Sequence, residues 1–203
     1  MAVAPPRTRI QQKNREAILS AALEVFSQYG FRGATLDQIA EVAGLSKPNL
    51  LYYFASKEAI HTELLEGLLD VWLQPLRDLD PAGEPLAEIL RYVGRKLDMS
   101  RDMPRESRLF ANEVLQGAPR IAEKLSGPLK ALVDEKCAIL TLWMDQGRIR
   151  TLPPHHLVFS IWALTQHYAD FDIQVRPVLG PDHDPVAEAA PYLELIFRRV
   201  LEV

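Results

Sequence analysis

Apolar residues recur along most of the chain at the three-to-four-residue spacing of an amphipathic α-helix. No segment combines the alternation and the turn residues of a β-hairpin. The first helix is predicted over residues 12–29, and Gly30 stands where a glycine with positive φ commonly ends a helix. Its apolar face comprises Ile18, Ala22, Val25, Phe26 and Tyr29. Because the same periodicity continues along the chain, an all-α fold is predicted.

The later helices are separated by prolines and glycines. Ser56 is placed to cap a fourth helix, which carries a long apolar face as far as Pro75. A loop near residues 80–85 follows, and the Gly127-Pro128 pair can interrupt one of the helices beyond it. These further helices are predicted at 86–101, 105–117, 119–146, 154–176 and 186–202.

Residues 34–54 form the most specific pattern in the chain, two short helices separated by a glycine. Thr35 and Gln38 have the spacing of a capping box, in which each side chain accepts a hydrogen bond from the other residue's backbone amide. Gly44 ends this helix, and Ser46 then caps a second one. The pattern predicts a helix-turn-helix. An ordinary helical hairpin is the alternative.

The second of these short helices has the features of a DNA-reading helix. Its polar and aromatic side chains project outward at the N-terminal end, where a recognition helix presents groups to the major groove. Ahead of the first helix, residues 1–10 are expected to form a flexible basic arm whose arginines contact phosphates. The residues expected to bind DNA are Arg7, Arg9, Thr35, Ser46, Lys47, Pro48, Asn49, Tyr52, Tyr53 and Lys57.

The charge distribution supports a DNA-binding segment at one end of an acidic chain. The formal net charge is −4, which by itself is unusual for a protein that binds a polyanion. Residues 1–57, however, carry seven Lys and Arg against four Asp and Glu, whereas the rest carries sixteen against twenty-three. Phosphate neutralisation needs positive charge only where the protein touches DNA. The sequence therefore predicts a DNA-binding domain joined to a domain of a different kind.

Composition limits the remaining function classes. A chain of 203 residues with 48% hydrophobic residues can bury a sizeable core, and no apolar run approaches the roughly 20 residues of a membrane span. The single cysteine, Cys137, is expected to be a small core or interface residue, and not a redox sensor, of a protein in a reducing cytoplasm. No catalytic motif, phosphate-binding loop or convincing metal-ligand spacing is present, so no cofactor is expected and an enzyme is only a remote alternative.

The 157–175 segment is apolar on more than one side, and a helix of this kind must be buried on more than one side. One side is expected to face the chain's own helices and another to face a second copy of the chain. The last helix could complete a four-helix interface between the two copies. A monomeric bundle is the alternative. The residues expected in the dimer interface are Ile161, Leu164, Tyr168, Leu193, Phe197 and Val200.

The chain resembles the TetR family of bacterial transcription regulators. The resemblance is specific between Ala17 and Ala59, where the chain contains Leu-Glu-Val-Phe-Ser-Gln-Tyr-Gly-Phe, Ile-Ala-Glu-Val-Ala-Gly-Leu-Ser-Lys and Tyr-Tyr-Phe-Ala-Ser-Lys-Glu. It continues through Ser-Arg-Asp-Met-Pro-Arg-Glu-Ser-Arg-Leu-Phe at 100–110 and Ile-Trp-Ala-Leu-Thr-Gln-His-Tyr-Ala-Asp-Phe at 161–171. These later motifs are similar to those of a family member that regulates pyrimidine utilisation.

The resemblance implies a homodimeric repressor that binds palindromic operators in double-stranded DNA. It also implies release of the operator when a pyrimidine base such as uracil or thymine enters the C-terminal domain. The implied organisation is an arm at 1–10, a helix-turn-helix domain at 11–57, and a ligand-binding and dimerisation domain at 58–203. A regulator that senses a more apolar molecule, such as an acyl chain or a drug, is the alternative.

The residues around 166 have suitable chemistry for a pyrimidine base. Uracil presents carbonyl acceptors and ring N–H donors, and a primary amide can both donate and accept. Gln166 lies one helical turn beyond Trp162, and Asp170 lies one turn further on. His167 could take a second edge of the base, although a structural role is favoured for it. The residues expected to bind the ligand are Trp72, Arg108, Asn112, Trp162, Gln166, Asp170 and Phe171.

Overall fold

A computed structural model describes residues 9–203, and those residues are helical with no β-strand, as predicted. The helices are α1 (Arg9–Gly33), α2 (Leu36–Val42), α3 (Lys47–Tyr53), α4 (Lys57–Arg77), α5 (Pro85–Asp102), α6 (Pro104–Leu115), α7 (Ala122–Lys124), α8 (Lys130–Asp145), α9 (Pro154–Asp170), α10 (Asp172–Leu179) and α11 (Pro185–Leu201). A π-helix, Leu125–Leu129, joins α7 to α8. None of the helices in this part of the chain is long and apolar enough to cross a membrane.

The chain divides into two compact units, and the first ends at Leu68, within α4. The core of the first unit is built on the apolar face of α1, where Ile18, Ala22, Val25 and Phe26 are all buried as predicted. Tyr29 was predicted on the same face but is 48% exposed. It immediately precedes Gly30, whose φ of 67° and ψ of 171° break the helical path.

The second unit has one hydrophobic core, formed mainly by α5, α8, α9 and α11. Helix α9 packs against α5, α6 and α8, and α11 packs against α5. Trp143 is fully buried in this core, and Cys137 is buried there as expected. The second unit is therefore a helical bundle in which α9 has neighbours on several sides.

Three of the six residues predicted for the dimer interface lie in that core. Ile161, Leu193 and Phe197 are each no more than 2% exposed and pack within the chain, so their assignment to the interface was wrong. The apolar stripe that they mark is the inner face of α9 and α11, because α5 and α8 cover it. Leu164 and Tyr168 are half-buried and Val200 is 43% exposed.

The long helix predicted over 154–176 is interrupted. Helix α9 ends at Asp170, Phe171 takes φ −118° and ψ 27°, and α10 starts at Asp172. The break places a carboxylate in the first turn of α10, where the helix dipole favours a negative charge. Helix α10 has no buried residue, and Ile173 is 83% exposed. The prediction that this whole segment is buried on more than one side was therefore wrong beyond Asp170.

Two proline positions also differ from the predictions. Helix α4 continues through Pro75 to Arg77 because a proline in the last turn removes only one backbone hydrogen bond, while Leu73 and Leu76 remain buried on the same face. The Gly127-Pro128 pair does not end a helix but lies inside the π-helix. Proline has no N–H to donate, and the wider turn of a π-helix accommodates it, so that the helical path continues into α8.

Candidate functional site

The helix-turn-helix in the first unit has the predicted caps. The Thr35 hydroxyl accepts from the Gln38 amide at 3.2 Å, and the Gln38 side chain accepts from the Thr35 amide at 2.8 Å. Gly44 has φ 67°, which confirms its predicted role in ending α2. The Ser46 hydroxyl accepts from the Asn49 amide at 3.3 Å and so caps α3. Local side-chain chemistry thus determines where both helices begin.

The N-terminal end of α3 presents an exposed polar and aromatic surface. Ser46, Lys47, Pro48 and Asn49 are all exposed, and Tyr52 is 71% exposed. The Lys47 ammonium lies 2.9 Å from the exposed Asp37 carboxylate. An exposed ion pair of this kind contributes little to stability, so the ammonium can exchange this partner for a phosphate at small cost. This surface has the exposure and the donors that contact with DNA requires.

Two of the predicted DNA-binding residues also hold the first unit together. The Tyr53 hydroxyl accepts from the Asn14 side-chain amide at 2.8 Å. The Lys57 ammonium donates to the carbonyls of Phe31 and Ala34 at 2.8 and 2.7 Å, and it lies 4.6 Å from the Phe31 ring centroid. Lys57 therefore has a structural role that the sequence did not predict.

Arg15 is a further link that was not predicted. Its guanidinium pairs with the Glu63 carboxylate through two nitrogens, donates to the Tyr53 carbonyl at 2.9 Å, and lies 4.0 Å from the Phe54 ring centroid. These contacts connect α1 to the end of α3 and to α4 within the first unit. Arg9 is the first residue described by the structure, whereas the prediction for Arg7 lies outside the described residues.

The second unit contains a cavity of about 710 Å³. Its walls come from the second-unit part of α4, from α5, α6 and the π-helix, and from α9 with the residue that follows it. All seven residues predicted to bind the ligand line this cavity, including Arg108 and Asn112 from α6. They are Trp72, Arg108, Asn112, Trp162, Gln166, Asp170 and Phe171.

Aromatic rings form part of the cavity wall. The Trp72 and Phe110 ring centroids are 5.2 Å apart, with the rings at 74° to each other. The Trp162 indole N–H donates to the Tyr92 hydroxyl at 2.7 Å, which fixes the orientation of the indole. Burial raises the pKa of that hydroxyl well above its ordinary value, so it stays protonated. A flat ligand could stack on rings held in this way.

The polar residues of the cavity differ in whether they have hydrogen-bond or ion-pair partners within the chain. Asp170 accepts from the Ser107 hydroxyl at 2.5 Å, and Arg108 donates to the Asp172 carboxylate at 2.8 Å. Burial raises the pKa of Asp170, and the Ser107 hydrogen bond and nearby positive charges oppose that rise only in part. Within residues 9–203, the half-buried side-chain amide of Gln166 has no hydrogen-bond partner. This amide is therefore available to a ligand.

The cavity also contains a charged residue that the sequence interpretation missed. Lys96 is only 5% exposed, and its ammonium lies 5.5 Å from the Trp72 ring centroid. Burial lowers its pKa to about 8, although the Asp170 carboxylate acts in the opposite direction. The sequence did contain an indication that Lys96 is buried, because it lies on the same helical face as the apolar residues Tyr92 and Val93.

His167 is the residue for which a structural role was favoured. It is exposed and does not line the cavity, and its ring stacks on Phe171 with the centroids 5.2 Å apart.

The residues that do line the cavity combine an amide without a hydrogen-bond partner among the described residues, a buried ammonium, a hydrogen-bonded carboxylate and several aromatic rings.

Comparison with known proteins defines the class to which this fold and site belong. A family model for bacterial regulatory proteins of the tetR family matches residues 18–64, and a model for the C-terminal region of YcdC-like proteins matches residues 65–202. The chain therefore belongs to the TetR family of helix-turn-helix transcription regulators. This confirms the family resemblance seen in the sequence.

A particular relative within the family is more informative. The chain is 52% identical over 174 residues to the HTH-type transcriptional regulator RutR of Escherichia coli K12. The aligned residues cover 86% of this chain and 82% of that protein. Among solved structures, SCO4942 of Streptomyces coelicolor, described as a candidate transcriptional regulator, has a TM-score of 0.76 at 25% identity, over 93% of this chain and 98% of that one.

A second solved structure supports the fold. The ketosteroid transcriptional regulator KstR2 of Mycobacterium tuberculosis superposes with a TM-score of 0.73 at 22% identity, over 100% of both chains. At that identity the similarity concerns the fold alone. The named relatives are transcriptional regulators, which agrees with a DNA-binding regulator rather than an enzyme.

Proposed function

We propose that this protein is a homodimeric repressor of pyrimidine utilisation. In this proposal the helix-turn-helix of each copy binds one half of a palindromic operator. A pyrimidine base such as uracil or thymine then binds in the cavity of the second unit and releases the DNA. The 52% identity to RutR supports the proposal, together with the chemistry of the cavity.

The Gln166 amide is the observation on which the effector assignment rests. It lines a cavity with aromatic walls and has no hydrogen-bond partner among the described residues. This amide is open to the cavity, and a ligand that offers both a carbonyl and an N–H can bond its donor and its acceptor together. Uracil and thymine offer this pair on adjacent ring atoms. Trp72 and Trp162 could then stack on the faces of the base.

An apolar effector is the second candidate, and a different observation favours it. Much of the cavity wall is aliphatic, and a volume of about 710 Å³ exceeds what one small base fills. An acyl chain or a drug would use this aliphatic part and leave the Gln166 amide unpaired. The two candidates therefore differ in whether the amide contributes to binding. The aliphatic lining residues are Leu69, Leu73, Ala111, Val114, Leu115, Leu125 and Leu129.

The proposed homodimer uses the outer faces of α9 and α11. On α11, Tyr192 and Leu195 are 57% and 53% exposed, and on α9, Phe159 is 47% exposed. Exposed apolar groups that recur along two helices favour association, and a second copy of the chain would cover both helices together. Leu164, predicted for this interface, is half-buried and can contribute at its edge.

Coupling between effector and DNA is proposed to pass through α4. This helix begins at Lys57, directly after the Ser56 cap, and its later residues Leu69, Trp72 and Leu73 line the cavity. A ligand shifts the equilibrium only by its difference in affinity for the DNA-bound and released states. A ligand that contacts Trp72 can favour one orientation of α4 and thereby change the spacing of the two DNA-binding helices.

The proposal is tested by titrating uracil calorimetrically into the wild type and into Gln166→Ala, with operator affinity measured in parallel. We expect Gln166→Ala to lose most of its uracil affinity and to keep its operator affinity, because the amide is in the second unit. Gln146→Ala is the matched control, since Gln146 is exposed and does not line the cavity. Wild-type uracil affinity in Gln166→Ala would show that the effector site is placed wrongly, and strong binding of an acyl chain in both proteins would favour the second candidate.

A further inference from the structure

Lys96 is the least satisfied charged group in the second unit's cavity. Its side chain is almost wholly buried, yet it lines both the main cavity and a small adjoining one that also touches Trp72, Ser107 and Gln166. Among the described residues, no side chain or carbonyl accepts a hydrogen bond from its ammonium, and no carboxylate forms an ion pair with it. Its ammonium lies 5.5 Å from the centroid of the Trp72 ring, within the range of a cation–π contact.

A buried ammonium in this position needs an acceptor. It has three N–H donors, and burying a charged group without hydrogen bonds is among the most costly arrangements in a protein interior. The other charged groups around it are already paired. Asp170 accepts from Ser107, and Arg108 pairs with Asp172. The Lys96 ammonium is open to the cavity, so an acceptor for it comes from there, from solvent in the ligand-free protein and from the ligand when one is bound.

The charge balance around the ammonium selects the kind of acceptor. Asp170 lies close enough to act on Lys96 electrostatically, so an anionic ligand would be repelled by this carboxylate while it was attracted by the lysine. A neutral molecule with a carbonyl oxygen meets no such repulsion. A charge-assisted hydrogen bond from an ammonium to a carbonyl is also stronger than one between neutral groups.

We propose that Lys96 binds a carbonyl oxygen of the effector and thereby selects oxygen-bearing planar rings over analogues that lack that acceptor. The proposal rests on the proposed function, in which a pyrimidine base occupies this cavity. Gln166, which lines the same small cavity, then pairs with the N–H beside that carbonyl. Lys96 is in this way a specificity-determining residue, and Gln166 orients the ring.

The test compares uracil with 2-thiouracil and 4-thiouracil, since sulfur is a much poorer hydrogen-bond acceptor than oxygen. Calorimetric titration of the wild-type protein should show a loss of about 10-fold or more for one of the two thio analogues, the one whose sulfur replaces the oxygen that meets Lys96. In Lys96→Met, uracil should bind more weakly, and the preference for uracil over that analogue should fall to about 3-fold or less.

Two variants act as controls. Lys136→Met removes another buried lysine, one that lies beside Glu135 and does not line the cavity, and it should keep the wild-type preference. Lys96→Gln keeps a neutral N–H donor and should show an intermediate preference, and it replaces Lys96→Met should that variant not fold.

The outcomes separate this proposal from the proposed function. If the wild type binds uracil and neither thio analogue is disfavoured, or if the preference persists unchanged in Lys96→Met, Lys96 does not bind the carbonyl, although the pyrimidine-sensing function stands. If the wild type does not bind uracil at all, the proposed function is wrong and the assignment of Lys96 is wrong with it.

Discussion

At the scale of single residues, the buried lysine of α5 affects stability as well as binding. Its pKa is lowered from 10.5 to about 8, mainly because burial disfavours the charged form. A shift of this size corresponds to a cost on the order of 3 kcal/mol when the ammonium is charged. In the ligand-free protein nothing offsets this cost fully, since Asp170 interacts with Lys96 without pairing with it.

Lys96→Met should therefore stabilise the ligand-free protein by about 1–3 kcal/mol near neutral pH. Between about pH 8 and 10.5 the unfolded chain binds more protons at this lysine than the folded chain does, so the stability of the wild type should rise with pH in this window. Below the window both states are protonated and the full cost remains. Asp170 and Arg108 also face this site, and both are retained in the variant.

Urea unfolding of both proteins at neutral and at alkaline pH measures this effect. The stability difference between Lys96→Met and the wild type should be largest near neutral pH and should shrink as the pH rises through the window. A difference that does not vary with pH would mean that the charge on Lys96 is not the source of the cost.

Lys47 is the residue at which contact with DNA can be tested most cleanly. Among the residues that the structure describes, its exposed ammonium pairs only with the exposed Asp37 carboxylate. Lys47→Ala should weaken operator binding by about 1–3 kcal/mol and leave folding nearly unchanged, because an exposed ion pair contributes little.

Asp37→Ala is the matched variant for this pair. It breaks the same ion pair but leaves the lysine free for a phosphate, so operator affinity should be unchanged or slightly higher. Fluorescence anisotropy with labelled operator DNA gives both values. Equal losses in the two variants would indicate that the pair matters for the shape of the first unit and not for contact with DNA.

At the scale of elements, the geometry between α2 and α3 depends on one backbone conformation. Gly44 has φ 67°, and a Cβ added there would meet no atom of residues 9–203 within 4 Å. Gly44→Ala should therefore destabilise the first unit by about 1–2 kcal/mol through backbone strain alone. Operator affinity should fall as well, since the angle between the helices sets how α3 meets the major groove.

Gly67→Ala is the control for this substitution. Gly67 lies inside α4 in the same unit and is exposed, and an added Cβ would again meet none of the described residues within 4 Å. Alanine there should stabilise the helix by about 0.5–1 kcal/mol. Thermal unfolding of the two variants should thus shift in opposite directions. A shift in the same direction would show that the cost at Gly44 is not conformational.

At the scale of the whole molecule, the inner and outer faces of α11 predict different consequences for the same substitution. Leu195 is 53% exposed, whereas Phe197, two residues further on, is 2% exposed and lies in the core. Leu195→Asp should give a folded monomer with weak operator binding, because a monomer has one helix-turn-helix and contacts only half of the operator. Phe197→Asp should unfold the second unit, because it buries an unpaired charge.

Sedimentation velocity and circular dichroism distinguish these states. Val71→Asp is the control, since Val71 is 48% exposed on α4 and outside the proposed interface. It should remain folded and dimeric. A dimer that persists in Leu195→Asp would place the interface on another surface.

The sequence by itself determined the features that depend on near neighbours. The capping box at Thr35, the positive φ of Gly44 and the Ser46 cap involve groups a few residues apart, so their spacing specifies them. Helical periodicity likewise determined that the chain is all-α, and the motifs shared with TetR regulators determined the family. The chemistry of a pyrimidine base, together with the one-turn spacing of Trp162, Gln166 and Asp170, also predicted residues that line the cavity.

Only the tertiary structure decided which neighbours those helices have. Periodicity marks an apolar stripe on α9 and α11 but does not say whether the chain or a second copy covers it, and for Ile161 and Phe197 the chain's own helices do. Lys96 was not predicted for the same reason. A lysine next to an apolar stripe is ordinarily solvated, and the sequence does not show that other helices enclose this one. Burial results from packing between segments that are far apart in sequence. It therefore decided which faces of α9 and α11 are exposed and which polar groups line the cavity.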